Sequence, residues 1–250
     1  MYSLGYKESS AVPVRWETVE AILVDVDDQL TGRGREQLSK VKIALLCRDA
    51  AVLLYLWITL MRGHEAGQLR VKNITLHQHD CAPAWPEIGQ WTLIEGQAVI
   101  ISPDSTKVNP HPSSTFTPIW RRDEAVKGHC LMWRLHMYAK AMEDCGQPID
   151  DYVFLPLRAD NRCVFQRVGM KANAMNAMLG QHMKRLGLWQ GESLHGIKRG
   201  KLQHAVFVGK ESIADASRGV HKNQATTGKY VHPVRHSARL KQGRGEHSRD

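Results

Sequence analysis

His195-Gly196-Ile197-Lys198-Arg199, then His221, then Thr226-Thr227-Gly228-Lys229-Tyr230: this order of residues decides how the chain is read. A histidine with a cation three residues on, a second histidine and a tyrosine nine residues later are phosphate-handling groups in series. Cleaving a phosphodiester without a metal needs such a set. A nucleophile attacks phosphorus while cations hold the non-bridging oxygens as charge builds. An acid protonates the leaving oxygen, and a base takes the nucleophile's proton. Tyrosine can be that nucleophile, and its covalent link stores the bond energy for rejoining. Its hydroxyl, with an ordinary pKa of about 10, needs help from neighbouring histidines or cations.

Composition agrees with an anionic partner. The 250 residues carry 34 Lys and Arg against 25 Asp and Glu, a net charge of +9. Nucleic acid is the leading partner for such an excess, with a basic, solubilising surface as the plainer alternative. Hydrophobic residues at 42% and charged residues at 24% are ordinary for a globular chain. The five cysteines are odd in number, scattered and free of any CxxC, which fits free thiols in a reducing, intracellular compartment. No apolar signal region opens the chain. The longest apolar run, 50–61, is shorter than the about 20 residues that span a bilayer, so no membrane association is expected.

Periodicity predicts a mainly α chain with a small antiparallel β-sheet. Residues 1–12 read as a flexible arm, 13–232 as one domain, and 233–250 as a basic, disordered tail. Helices are expected over 16–30, with Val19, Ile22, Leu23, Val26 and Leu30 on one face, and over 37–61. Further helices are expected over 124–143, 172–188, 194–208 and 212–220. Strands are expected at 91–94 and 98–101, followed by a Pro-, Ser- and Asn-rich loop, 102–115.

Upstream residues extend the phosphate-handling series. Thr59-Leu60-Met61-Arg62-Gly63-His64-Glu65-Ala66-Gly67-Gln68-Leu69 follows a long apolar helix, and Ser105-Thr106-Lys107 follows the strand at 98–101. Together with Leu194-His195-x-x-Lys198, Gly219-x-His221 and Thr226-Thr227-x-x-Tyr230-x-His232, this resembles the tyrosine recombinase or phage integrase family over residues 15–232. The first stretch is similar to that family's (T/G)-x-x-R-x-x-E-x-x-x-L box. Singly, each residue has an ordinary explanation, such as a capping arginine, a solvated lysine or a structural histidine. The order in combination carries the resemblance.

The resemblance implies that fold and its chemistry. Arg62, supported by Glu65, and Lys198 are implied to clamp the scissile phosphate, and Lys107 to protonate the leaving 5′ oxygen. His195 is implied to assist proton transfer at Tyr230, and His221 to hydrogen-bond the phosphate, with His232 in support. Tyr230 would form a 3′-phosphotyrosyl intermediate with no metal and no cofactor. Double-stranded DNA is the implied partner, bound by a homo-oligomer, a tetramer for strand exchange, in a nucleus or in a prokaryotic cytoplasm.

Two departures from the family pattern stand out. Lys198 occupies the position of the second arginine. Lysine keeps the charge but loses the planar fork that grips two oxygens, and one lost transition-state donor costs about 2.7–4 kcal/mol. Arg199 is a conceivable substitute, but one helical residue turns it about 100° away. Such a variant box is similar to recombinases of eukaryotic mobile elements. The second departure is at the N-terminus, where about fifteen residues precede the catalytic domain and no core-binding domain is expected, so the chain reads as a fragment, as completed by a partner or flanking gene, or as a weak DNA binder. Together these keep a repurposed or impaired DNA-binding protein open beside the recombinase, with a type IB topoisomerase-like activity as a third reading. His77-Gln78-His79-Asp80-Cys81 suggests a metal, but it lacks the paired short spacings of structural zinc.

Overall fold

The computed structural model describes residues 12–32, 34–77, 82–102, 104, 117–122, 128–158 and 164–217. Helix α1 (Trp16–Thr31) buries Val19, Ile22, Leu23, Val26 and Leu30, the stripe its spacing predicts. Gly32 ends it, with its N–H on Asp28 O at 2.8 Å. Helix α2 (Lys40–Thr59) starts at Ser39, whose hydroxyl accepts the Lys42 N–H at 3.2 Å. Its last two-thirds is buried almost all round, so it forms the centre of the molecule. Leu60 closes it in the left-handed region (φ 57°) and turns the chain sharply into α3 (Gly63–Gly67).

The sheet is antiparallel, in the order β1 (Ile74–Leu76), β2 (Ala98–Ile101), β3 (Thr117–Trp120). Helix α4 (Trp85–Gln90) lies between β1 and β2 in sequence and packs on α5 (Leu131–Asp144). The strand expected at 91–94 is absent. Pro86 stands in the first turn of α4, and Trp91 closes the helix in the left-handed region (φ 58°). The Trp91 ring packs against Trp133 and His136 of α5, with the Arg121 guanidinium 3.9 Å above it. Tertiary packing here outweighs the β propensity of a short apolar run. β1 and β3 went unrecognised because each has only three or four residues. Pro118 in β3 also argues against a strand, and it is tolerated at the sheet edge because it gives up no interior ladder bond.

The remaining helices are α6 (Ala172–Arg185), α7 (Leu194–Phe207) and α8 (Ile213–Ser217), within two or three residues of expectation where both ends are described. α5 starts later than expected, at Leu131, and residues 123–127 lie outside the described set. Three charged ties lock the helices together. Arg134 of α5, 3% exposed, grips both carboxylate oxygens of Asp27 on α1, at 2.5 and 2.8 Å. Asp49 of α2 accepts from Arg48 and from His182 Nε2 of α6 at 3.1 Å, and Arg185 of α6 reaches Asp25 of α1. Arg185 can only donate, so its contact with His182 Nδ1 makes that nitrogen an acceptor and leaves Nε2–H to donate to Asp49.

Candidate active site

Arg62 and Glu65 are positioned by the abrupt end of α2. Arg62 is extended (φ −75°, ψ 155°) and caps α3. The Glu65 carboxylate folds back onto it. One oxygen accepts the Arg62 N–H at 2.7 Å and the other accepts Arg62 Nη1 at 3.2 Å. Glu65 is buried, whereas the Arg62 side chain is 23% exposed. The acid therefore holds the guanidinium from beneath while part of the fork faces outward.

His195 and Lys198 come from α7. Three residues apart, they share one face of its first turn. His195 is exposed, and Lys198 is buried at 7%. The opposite side of α7 carries Gly196 and Gly200, which let the backbone at 12–14 pass very close. A Cβ on Gly200 would stand 1.5 Å from Val14 O, and one on Gly196 would stand 2.2 Å from Val12 O. Val14 N–H donates to Gly196 O at 2.9 Å. The glycines of the His195–Gly200 stretch thus serve packing, and the His and Lys face the other way.

These elements meet in an open cleft of about 310 Å³, lined by Met61, Arg62, Gly63, His64, Ala172, Asn173, Asn176, Ser193, Leu194, His195 and Lys198. Burial, followed by the nearby Arg62 charge, pulls the Lys198 ammonium down to about pKa 8, and Glu65 opposes the shift. Two cations and an imidazole lining one concavity at a helix N-terminus have the chemistry to receive an anion. Arg199 is buried and does not line the cleft.

The sequence reading missed His64, Asn173 and Asn176. His64 lay inside the quoted Arg62 box. The i, i+3 spacing of the two asparagines on α6 was visible, but no sequence signal placed that helix beside α7. Lys107, His221, Tyr230 and His232 lie outside the described residues. β2 and β3 do pair as a hairpin on either side of the segment holding Lys107. Asp104, three residues before Lys107 in sequence, is held by Asn73 Nδ2 at 2.9 Å and Lys72 Nζ at 3.3 Å. The Asn73 hydrogen bond, followed by Lys72, holds its carboxyl below the usual range despite partial burial.

Among the described residues, no group of three or more His, Cys, Asp or Glu is arranged to hold a metal. His77 makes an edge contact with Trp120, and residues 78–81 lie outside the described set. No described helix is long and apolar enough to cross a membrane.

No protein-family model matches the sequence, and no curated protein matches it. Solved structures do. The XerH site-specific recombinase bound to its palindromic difH substrate, in a post-cleavage complex, superposes with a TM-score of 0.53 at 13% identity. The match covers 94% of this chain and 52% of that one. The pre-cleavage complex of XerH gives 0.53 at 13% identity over 91% of this chain and 52% of that one. The XerA recombinase gives 0.54 at 16% identity, over 94% of this chain and 66% of that one. The chain spans about half the length of the XerH structures it matches. These likenesses establish the fold, which is mainly α with a small antiparallel sheet, as in recombinase catalytic domains.

Proposed function

We propose that the chain is the catalytic domain of a tyrosine recombinase or integrase, which cleaves and rejoins double-stranded DNA through Tyr230. The observation that carries this reading is the convergence of Arg62, His195 and Lys198 on one cleft, with Glu65 bracing the arginine. Arg62 and Lys198 hold the non-bridging oxygens of the scissile phosphate. Tyr230 Oη attacks phosphorus, its proton passes to a base assisted by His195, and the P–O5′ bond breaks. Lys107 gives a proton to the departing 5′ oxygen, and His221 hydrogen-bonds the phosphate, with His232 in support. The product is a 3′-phosphotyrosyl link and a free 5′ hydroxyl. Attack by a second 5′ hydroxyl reverses these transfers and joins the new strand. The parts need no metal or cofactor, and the pairing of two DNA sites calls for a homo-oligomer, a tetramer during exchange.

Trapping on nicked duplexes of randomised sequence tests the reading. Wild type forms a covalent protein–DNA adduct and Tyr230→Phe forms none. Equal adduct from both would refute the nucleophile.

A repurposed DNA-binding protein is the second reading, favoured by Lys198 at the second-arginine position. Lys198→Arg separates the two, since a gain of about 100- to 1,000-fold in adduct formation marks an impaired enzyme. Binding without adduct in both forms marks a repurposed one. Relaxation of supercoils without site preference would instead mark a type IB topoisomerase-like activity.

A further inference from the structure

The first residue of α7 is held from two sides. Ser193, the residue before the helix, makes no side-chain capping bond. The Leu194 N–H, a donor that the helix itself leaves unsatisfied, instead donates to Asn176 Oδ1 on α6 at 3.0 Å. Leu194's side chain lies against α3, where its Cδ1 would be 2.5 Å from a Cβ placed on Gly63. Gly63 adjoins Arg62 and Leu194 adjoins His195. Leu194 therefore packs between the neighbour of Arg62 and its own neighbour His195, and Asn176 accepts its backbone N–H. Asn176 itself lines the cleft.

We propose that Asn176 is a positioning residue: by accepting the Leu194 N–H it clamps the N-terminus of α7 to α6 and aims His195 across the cleft at Arg62. The proposal rests on the recombinase reading for its effect on rate, but its geometric part does not. A bond between helices does what a local cap cannot. A capping serine or aspartate at 193 would stabilise α7 while leaving its tilt against α6 unset. Small errors of aim matter because a misplacement of about 1 Å in a catalytic group can cost about 100-fold in rate.

The test uses the full chain with Asn176→Ala, which removes the acceptor, and Asn176→Asp, which keeps it. The free protein is measured first. Amide exchange at Leu194 speeds up in Asn176→Ala and returns toward wild type in Asn176→Asp, while the His195 imidazole resonance, assigned by its loss in His195→Gln, moves in Asn176→Ala. The melting temperature checks that each variant is folded.

Adduct formation on the nicked duplexes follows. Asn176→Ala lowers kcat by about 10- to 100-fold and leaves KM for DNA within about twofold. Unchanged Leu194 exchange and an unmoved His195 signal in folded Asn176→Ala overturn the clamp. Rescue of Asn176→Ala by Ser193→Asp overturns it too, since a local cap would then suffice. A rise in KM with unchanged kcat also overturns it, because Asn176 would then be a direct DNA contact. If wild type forms no adduct, the recombinase reading fails, and the exchange and imidazole measurements still decide the clamp.

Discussion

Lys198 is a buried cation that lines the cleft. Burial and the Arg62 charge leave its pKa at about 8, against the usual 10.5. An arginine in its place would stay charged throughout this range. Lys198 is charged below its pKa, and a bound phosphate raises that pKa by favouring the charged form. DNA affinity should therefore fall as pH rises above about 8, and Lys198→Arg should abolish that fall. Titrating duplex binding between pH 7 and 10 checks this; parallel profiles for the two proteins would remove Lys198 from the anion site. Stability moves the other way. The unfolded chain holds this proton up to about pH 10.5, so Lys198 contributes stability that increases between pH 8 and 10.5.

Glu65 makes a second residue-scale prediction. Glu65→Ala leaves the Arg62 N–H and Nη1 without their carboxylate, so urea unfolding should show a loss of about 1.5–3 kcal/mol. Adduct formation should fall more than that loss of stability explains.

At the scale of elements, α7 is shaped by its back as much as by its front. Gly200→Ala would drive a Cβ to 1.5 Å from Val14 O, which is backbone and cannot rotate away. The expected loss is about 1–3 kcal/mol in chemical unfolding. Gly34→Ala is the control, because a Cβ there meets nothing within 4 Å and φ is an ordinary −80°. Its effect should stay within about 0.5 kcal/mol. Equal losses at the two sites would mean that the 12–14 segment does not lie on α7. The same contact explains why a glycine-spaced helix, a poor helix former by composition, is nonetheless a helix: packing against 12–14 and α2 offsets the intrinsic cost of its glycines.

For the whole molecule, the excess of +9 should appear as a steep salt dependence of duplex binding, each neutralised phosphate adding about 0.9 to the slope of log K against log salt. Arg62→Ala should reduce that slope by about one. A slope unchanged by this substitution would place Arg62 away from the DNA backbone.

Much of this molecule was legible along the chain. α1, α2, α6 and α7 show helical periodicity over a dozen residues or more, and the Arg62–Glu65 and His195–Lys198 pairs sit at i, i+3, so local geometry alone puts each pair on one face. The short strands β1 and β3 and the fate of Trp91 were not legible, because three or four residues carry little periodicity and their state depends on partners far along the chain. Only tertiary structure could decide how the pairs meet. The cleft joins residues 62, 176 and 195, the ties from Asp27 and Asp49 reach residues 134 and 182, and the lowered Lys198 pKa is a product of burial. Which candidate phosphate-handling groups are present, and which helix faces carry them, is readable along the chain. That Arg62, His195 and Lys198 line one cleft depends on close backbone approach and long-range hydrogen bonds, neither of which leaves a periodic trace.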